Sequence, residues 1–341
     1  MFLAAMALFK AEPASPDSPV SYTMTPVAGA VETSSCFPEF AKVASASFVV
    51  PGLEEGLIPQ GLAWLPQNNW FLVSGYHSDG APSALVAVER ESGAVARQTR
   101  LRNPDGSSYA GHAGGVAATA GNIVVSGGEM LHVLPLADFL AGRDGESCAF
   151  CREIKVPNRA SYCFCGDGTF WVGEFRHVGY PTDARHRMKI GKEAFQAWLC
   201  GYKLVDGELP LSEKGKLSPP DYILVTPDDV QGASVSDGIV WLSCSFGRGN
   251  DSRLLAFEVD FRNAPDGHFN VGGAEVPAWF LGKDRLIAAL TAPPMAENLC
   301  RVEDDVYIIF ESGAKDKRGK NGKTRPVDRC FRFPNRCRLE K

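Results

Sequence analysis

Three residues whose side chains are suited to catalysis stand at unusual positions in the sequence. Glu297 follows Pro-Pro-Met-Ala and opens an apolar run, His112 lies in Gly-His-Ala-Gly-Gly, and Arg248 lies in Gly-Arg-Gly. An unpaired carboxylate at the start of a buried strand is costly, so Glu297 is expected to meet a cation, either Arg248 or a metal ion. Glycines beside His112 allow a ligand or a neighbouring backbone to approach closely. We therefore predict Glu297 and His112 as acid–base groups or metal ligands and Arg248 as an anion clamp.

Further polar residues recur where apolar, strand-like runs begin or end, and these are the predicted substrate-binding residues. They are Gln60, Tyr76, His77, Glu174, Gln231 and Glu311. The two glutamines share a Gln-Gly context and are equally compatible with a role in bonding backbone groups. For the glutamates the alternative is a solvated position in a loop.

The elements that must position these residues are repeated along the chain. Two apolar runs joined by a short turn occur five times, at Pro59–Tyr76, Gly111–Glu129, Ser161–Glu174, Val230–Ser245 and Met295–Ser312. A third strand-like run follows each pair, and a fourth follows most of them. Four antiparallel strands repeated in this way are typical of a β-propeller. In a propeller, the start of the first strand and the end of the second meet at the top of the central channel, where ligands commonly bind.

We therefore predict an all-β protein with five four-stranded antiparallel blades. The run Ser45–Val50 is expected to close the ring as an added strand, which protects an exposed sheet edge. A sixth blade within Val178–Leu217 or Ala264–Ala292 is the alternative count, and a β-sandwich is the alternative fold. Ala278–Leu281 is expected to be the outer strand of the fourth blade, and the apolar spacing of Arg185–Leu199 predicts a helix.

Composition restricts the function classes. The chain has 341 residues with 35 Lys and Arg against 40 Asp and Glu, a net charge of −5, and nucleic-acid binders normally carry a basic surplus instead. No dinucleotide fingerprint or Walker loop is present, so no nucleotide cofactor is expected. After residue 20 no apolar run is long enough to span a membrane.

The termini and the cysteines bear on the cellular compartment. Residues 1–40 form an apolar and then Pro/Ser-rich segment that is either signal-like or a disordered arm, followed by a single domain over residues 41–341. A secreted or periplasmic location is the interpretation that we prefer, with a cytoplasmic one as the alternative. Ten cysteines are present, and Cys148–Cys151 and Cys330–Cys337 are candidate local disulfides.

The Gln-Gly strand starts, Gly-His-Ala-Gly-Gly and Phe-Glu-Ser-Gly-Ala-Lys resemble an uncharacterised family of bacterial and fungal propeller proteins, many of them secreted, over roughly residues 45–334. More distantly, the chain is similar to the gluconolactonase, paraoxonase and strictosidine synthase propellers. That similarity implies one divalent metal ion in the channel, most naturally Ca²⁺, with Glu297, Asn298, Gln60 and Gln231 at the matching positions. A weaker similarity to oligogalacturonate lyases implies a metal ion near His112.

Together these features predict a hydrolase or lyase that acts on a small or carbohydrate-like anionic substrate, with metal assistance from Glu297, Asn298 and His112. The competing prediction is a non-catalytic propeller that binds a glycan or a protein through an aromatic face including Tyr76 and Phe246. In either case the expected partner is a small molecule or glycan, no nucleic acid is expected, and the protein is expected to be a monomer.

Overall fold

The computed structural model describes residues 19–212, 214–319 and 324–336. Five antiparallel sheets are arranged around a central axis as the blades of a propeller, which confirms the predicted fold. From the axis outwards, blade 1 consists of β2 (Ile58–Leu65), β3 (Trp70–Tyr76), β4 (Ala84–Glu89) and β5 (Val95–Arg102), and blade 2 of β6 (Gly115–Ala118), β7 (Asn122–Gly127), β8 (Met130–Pro135) and β10 (Arg152–Lys155). Blade 3 consists of β11 (Tyr162–Gly166), β12 (Thr169–Gly173), β15 (Ala197–Lys203) and β16 (Tyr222–Thr226), and blade 4 of β17 (Val230–Ser236), β18 (Ile239–Cys244), β19 (Ser252–Glu258) and β22 (Leu286–Ala292). Blade 5 consists of β23 (Ala296–Val302), β24 (Asp305–Phe310), β25 (Arg329–Pro334) and β1 (Ser45–Val49).

Short turns and apolar strands explain why these segments form blades. In blades 3 and 4 the first two strands are joined by the Asp-Gly pairs at 167–168 and 237–238, whose residues all have positive φ, as tight hairpins require. The second strands are apolar on both faces: every residue of β18 is buried, because its sheet packs between two other blades. Apolar side chains between the blades therefore form the core.

The outer edges of the blades are covered. As predicted, β1 closes the ring by pairing antiparallel with β25. Blade 1 gains β9 (Ser147–Ala149), which comes from blade 2 and pairs parallel with β5. Blade 3 gains the hairpin of β20 (Gly267–Val271) and β21 (Ala274–Phe280), which comes from blade 4. Covered edges leave fewer unpaired backbone groups for other chains to bind.

Two segments differ from the sequence-based predictions. Ala278–Leu281 is not the outer strand of blade 4: residues 278–280 lie in β21 and pair parallel with β16 of blade 3, and β22 takes the expected place. Arg185–Leu199 is not a helix, since it contains a 3₁₀ turn (Ala184–His186), the hairpin of β13 (Met188–Ile190) and β14 (Glu193–Phe195), and the start of β15. Local spacing suggested a helix, but pairing with the existing sheet decided the structure.

The remaining helical segments are short. They are α1 (Thr33–Cys36), α2 (Pro38–Val43), α3 (Leu136–Ala141) and 3₁₀ turns at Pro66–Asn68, Lys283–Arg285 and Glu311–Gly313. None of the helices in the described ranges is both long and apolar enough to cross a membrane.

The N-terminal segment packs against the propeller. Residues 1–18, where the signal-like stretch was predicted, lie outside the described residues. Residues 19–40, for which a disordered arm was one of the two interpretations, pack on the propeller instead. Val20 and Tyr22 are buried against blade 1, and Phe40 of α2 is buried against Phe310 and Phe331 of blade 5. Apolar burial fixes this segment.

The cysteines of the described residues carry free thiols, including Cys148 and Cys151, so the local disulfide predicted for this pair is wrong. Cys337, the predicted partner of Cys330, lies outside the described residues.

Inner strands of neighbouring blades approach each other so closely that only glycine fits at some positions. A Cβ on Gly115 of β6 would lie 2.2 Å from the backbone nitrogen of Cys163 in β11. A Cβ on Gly232 of β17 would lie 2.4 Å from the Cα of Asn298 in β23. Backbone atoms within a sheet cannot move aside as a flexible side chain can, so these contacts fix the distance between blades.

We expect Gly115→Ala to destabilise the protein by about 1–3 kcal/mol or more, because the added methyl group would push two inner strands apart. Gly249→Ala is the matched control, since a Cβ there would meet no atom within 4 Å. Urea denaturation of both variants measures the effect. Equal midpoints for the two variants would show that the contact around the axis does not limit stability.

Candidate functional site

A cavity of about 570 Å³ opens at the end of the propeller where the first strands begin and the second strands end. All five blades contribute to its wall, as the sequence predicted for the top of the channel. Its polar and aromatic lining residues are Gln60, His112, Glu129, Arg159, Ser161, Phe175, Tyr180, Gln231, Ser245, Phe246, Arg248, Glu297, Glu311 and Lys317.

Glu297 is the most deeply placed acid of this cavity. It is the second residue of β23 and is only 2% exposed, yet its carboxyl group lines the cavity. None of the described residues donates a hydrogen bond or forms an ion pair with this carboxyl group, whereas its backbone carbonyl accepts a bond from Ser243. Burial, followed by the charge of Glu311, raises the pKa of Glu297 well above its usual range, and Lys317 opposes this only in part. Burial therefore favours the neutral form of Glu297 under conditions where an ordinary glutamate is ionised.

Glu311 has the opposite environment. It follows β24 directly, and its carboxylate accepts bonds from Lys317 Nζ at 2.8 Å and Gln60 Nε2 at 3.0 Å. Its backbone N–H donates to the carbonyl of Met295, which places it beside the start of β23. Although burial disfavours the charged form of Lys317, the charge of Glu311 raises the pKa of this ammonium group above its usual value. Glu311 is thus a carboxylate held by a cation and an amide.

His112 and Tyr76 form the wall next to Lys317. Their rings lie 4.3 Å apart between centroids, and Lys317 Nζ lies 5.8 Å from the centroid of the Tyr76 ring. His112 is exposed to solvent and lines the cavity. Burial by the surrounding protein and the positive charge of Lys317 lower the pKa of His112 to about 4, so this imidazole is neutral near pH 7. Burial likewise raises the pKa of the Tyr76 phenol.

Two further cations face the cavity. The guanidinium of Arg248 bonds only a backbone carbonyl, that of Asp316 at 3.3 Å, and within the described residues neither Arg248 nor Arg159 forms an ion pair. Of the two cations predicted to meet Glu297, Arg248 or a metal ion, Arg248 therefore forms no ion pair with it. Burial keeps Glu297 protonated instead, and the guanidinium groups are available to an anion.

Three aromatic rings form one side of the mouth. Ring centroids of Phe175, Tyr180 and Phe246 lie 5.8–6.4 Å apart. Phe246 also stacks at 3.6 Å on His177, whose Nδ1 lies 2.6 Å from a carboxylate oxygen of Asp229. Tyr180 is 53% exposed and Phe246 39% exposed.

Six of the predicted site residues line the cavity, namely Gln60, His112, Gln231, Arg248, Glu297 and Glu311. Tyr76 lies behind the His112 ring. His77 points elsewhere and bonds the hydroxyl group of Tyr22 at 2.9 Å, so the structure does not place it in the site.

Glu174 is also outside the cavity. It is buried and accepts bonds from the backbone N–H groups of Arg159 and Trp198, and His186 Nδ1 lies 2.9 Å from its carboxylate. It therefore holds the chain that presents Arg159 and does not face a substrate.

The predicted metal ligands do not form a metal site. Asn298 is buried, donates its amide to the carbonyl of Cys163 in blade 3 at 3.0 Å and accepts from the N–H of Leu299. Burial raises the pKa of the Glu297 carboxyl group well above its usual range, which disfavours the ionised form that hard cations bind. Across the described residues, no three His, Cys, Asp or Glu side chains are grouped so that they could hold a metal ion. These donors do not fit the calcium site that the resemblance implied.

Sequence reasoning missed Lys317 and Arg159. Lys317 lies in the charged loop after β24, where nothing in the sequence separates it from the neighbouring Lys315. An ion pair between the Arg318 guanidinium and the Glu54 carboxylate, at 2.8 Å, holds the loop in the position that places Lys317 in the cavity. Arg159 precedes β11 and could have been found as a strand-start residue of blade 3.

Neither a protein-family model nor a curated protein matches the sequence. Among solved structures, the chain is similar to a GH43_1 enzyme from Xanthomonas citri complexed with xylose, with 13% identity over 87% of this chain and 92% of that one and a TM-score of 0.43. It is also similar to a Myxococcus xanthus glutaminyl cyclase, with 10% identity over 85% and 95% and a TM-score of 0.41. A third is the gluconolactonase XC5397 from Xanthomonas campestris, with 13% identity over 95% and 98% and a TM-score of 0.37. Similarity at these values does not assign an activity to this chain.

Glu297→Gln tests the neutral acid. The unfolded chain loses the Glu297 proton above about pH 4.5, whereas the folded protein retains it, so wild-type stability falls as the pH rises towards the folded-state pKa. The loss is about 1.4 kcal/mol per unit of pKa difference. We expect the melting temperature of Glu297→Gln, measured relative to that of the wild type, to rise as the pH increases from about 5 to about 8.

Glu258→Gln, at an exposed position at the far end of β19, is the control and should show no such trend. A melting-temperature difference between Glu297→Gln and wild type that does not change with pH would contradict the protonated state.

NMR titration tests the neutral imidazole. We expect the His112 resonance, identified among the six histidines by its loss in His112→Asn, to titrate with a midpoint of about 4. The main cause is burial by surrounding protein atoms, which disfavours the charged imidazolium, and the positive charge of Lys317 adds to it. A midpoint near the ordinary value of 6.5 would show that the ring is hydrated like a surface histidine.

Proposed function

We propose that this protein is a hydrolase or lyase that acts on a small, carbohydrate-like anionic substrate by general acid–base catalysis in the top cavity. The observation that carries the proposal is the pair of carboxyl groups in one cavity with opposite environments. Glu297 is buried without a partner, which favours its neutral form, whereas the carboxylate of Glu311 contacts the ammonium group of Lys317. Neighbouring acids held in different environments are the usual basis for separate acid and base roles.

In the hydrolytic reaction, Glu311 accepts a proton from water while the water oxygen attacks the substrate. Glu297 donates its proton to the leaving oxygen, so that no strongly basic group is expelled. In the lyase reaction the same base removes a carbon-bound proton, the electrons of that C–H bond form a C=C bond, and the C–O bond to the leaving group breaks as its oxygen takes the Glu297 proton. Lys317, which contacts Glu311, lies where it can stabilise negative charge that develops on the substrate.

The charge balance of the cavity supports an anionic substrate. Arg159, Arg248 and Lys317 line the cavity with the carboxyl groups of Glu129 and Glu311, and burial favours the neutral forms of Glu297 and His112. A guanidinium group binds a carboxylate through two parallel hydrogen bonds, which suits a sugar acid.

The exposed aromatic mouth favours a second candidate function, a propeller that binds a glycan without turning it over. Phe175, Tyr180 and Phe246 would serve such a protein equally well. The two candidates differ in whether Glu297 affects a rate or only a binding constant.

Activity assays separate them. Wild-type protein is tested with aryl glycosides and glycuronides, aldonolactones and polyuronates, and release of an aryl alcohol, of an acid or of an unsaturated product is recorded. For the compound turned over, we expect Glu297→Gln to lower kcat by about 10²–10⁴ and to leave KM nearly unchanged. Glu258→Gln should match the wild type, and prior treatment with a chelator should leave the rate unchanged because the predicted metal donors do not fit a cation.

Binding of one of these compounds without turnover would assign the protein to the non-catalytic class. Turnover that is unaffected in Glu297→Gln would overturn the acid role.

A further inference from the structure

The aromatic side of the cavity mouth extends beyond the acids and cations of the proposed reaction. We propose that Phe175, Tyr180 and Phe246 form a second subsite, which binds the face of an uncharged sugar ring attached to the anionic residue in the cavity. The inference rests on the proposed function, since it adds a neighbouring unit to the same substrate. It makes the natural ligand an acidic oligosaccharide rather than a single sugar acid.

The rings are continuous with the cavity and open to solvent. All three line the cavity wall together with Arg248 and Gln231. Tyr180 and Phe246 nevertheless remain 53% and 39% exposed, so part of each ring faces outwards. Adjacent exposed aromatic rings beside a pocket are characteristic of a ligand surface, since they offer a large apolar area with a polar rim.

The loops hold these rings in place before any ligand binds. Residues His177 and Tyr180 exchange two backbone hydrogen bonds, at 3.2 and 2.8 Å, which closes the loop that carries Tyr180. His177 is held by Asp229 and stacks on Phe246, while Asn250 donates to the Phe246 carbonyl at 2.9 Å. A surface fixed in advance loses little conformational entropy on binding, which favours a specific ligand over incidental exposure.

The chemistry around the rings favours a sugar over an apolar ligand. Arg248 follows Phe246 by two residues, and Gln231, whose amide donates to the Ser245 carbonyl at 3.3 Å, lies on the same side of the cavity. A pyranose offers C–H groups to an aromatic face and hydroxyl groups to such polar neighbours. An acidic unit between Arg159 and Arg248 would leave the adjoining unit beside the aromatic rings.

The test compares two probes by isothermal titration calorimetry: a uronic acid monosaccharide and a disaccharide in which that uronic acid is linked to a neutral hexose. We expect the disaccharide to bind the wild type about five- to tenfold more tightly. Phe246→Ala should remove this gain by weakening disaccharide binding about five- to tenfold, with a much smaller effect on monosaccharide affinity. Phe246→Leu, which keeps an apolar side chain without a ring, should also lose the gain, whereas Ile287→Ala, at an exposed apolar position on β22, should keep it.

The possible failures are distinct. Equal affinity of the two probes for the wild type would overturn the second subsite and leave the acidic-substrate proposal intact. Failure of both probes to bind, with turnover of a neutral compound, would overturn both. A dimer seen by light scattering that Phe246→Ala dissociates would assign the rings to a second copy of the chain and overturn the subsite.

Discussion

Backbone atoms of neighbouring inner strands approach each other around the axis more closely than side chains would allow. A Cβ on Gly166 would lie 2.2 Å from a carbonyl oxygen of Val235, and one on Gly61 would lie 2.6 Å from the backbone nitrogen of Val116. These contacts make the ring narrow. Asn298 of blade 5 can therefore reach the carbonyl of Cys163 in blade 3, which is not an adjacent blade. Protein atoms fill the axis at the level of this hydrogen bond, and they close the inner end of the cavity.

The position of Glu297 follows from this narrow axis. It is one residue before Asn298 on β23, so its side chain lies at the closed end of the cavity, where little water can solvate a charge. The residue could have been neutralised by a cation, but the ammonium group of Lys317 is engaged by Glu311. Retaining a proton is then the remaining way to avoid an uncompensated buried charge. A buried acid that keeps its proton is a consequence of fold geometry as much as of local sequence.

The sequence could predict what depends on repeated local patterns. Paired apolar runs with Asp-Gly turns identified the inner strands, and their polar starts identified Gln60, Gln231 and Glu297 as residues that converge at the top. It could not predict which sheet edge a segment joins, because the residues of β21 would suit either blade 3 or blade 4. Nor could it predict the direction of a side chain at a strand end. Glu174 stands at an equivalent strand end, yet it turns inwards to bond backbone groups and His186.

Protonation of Glu297 also decides which ligands can enter the cavity. With this acid ionised, its carboxylate would stand beside that of Glu311 at the closed end and would repel an anionic substrate. In the neutral form it offers a hydrogen-bond donor there, and Arg159 and Arg248 give the mouth a positive field. The carboxyl group of Glu297 can therefore lie beside a bound anion, because burial away from water favours its neutral form. The burial that would make Glu297 a proton donor in the proposed reaction would therefore also admit the proposed acidic substrate.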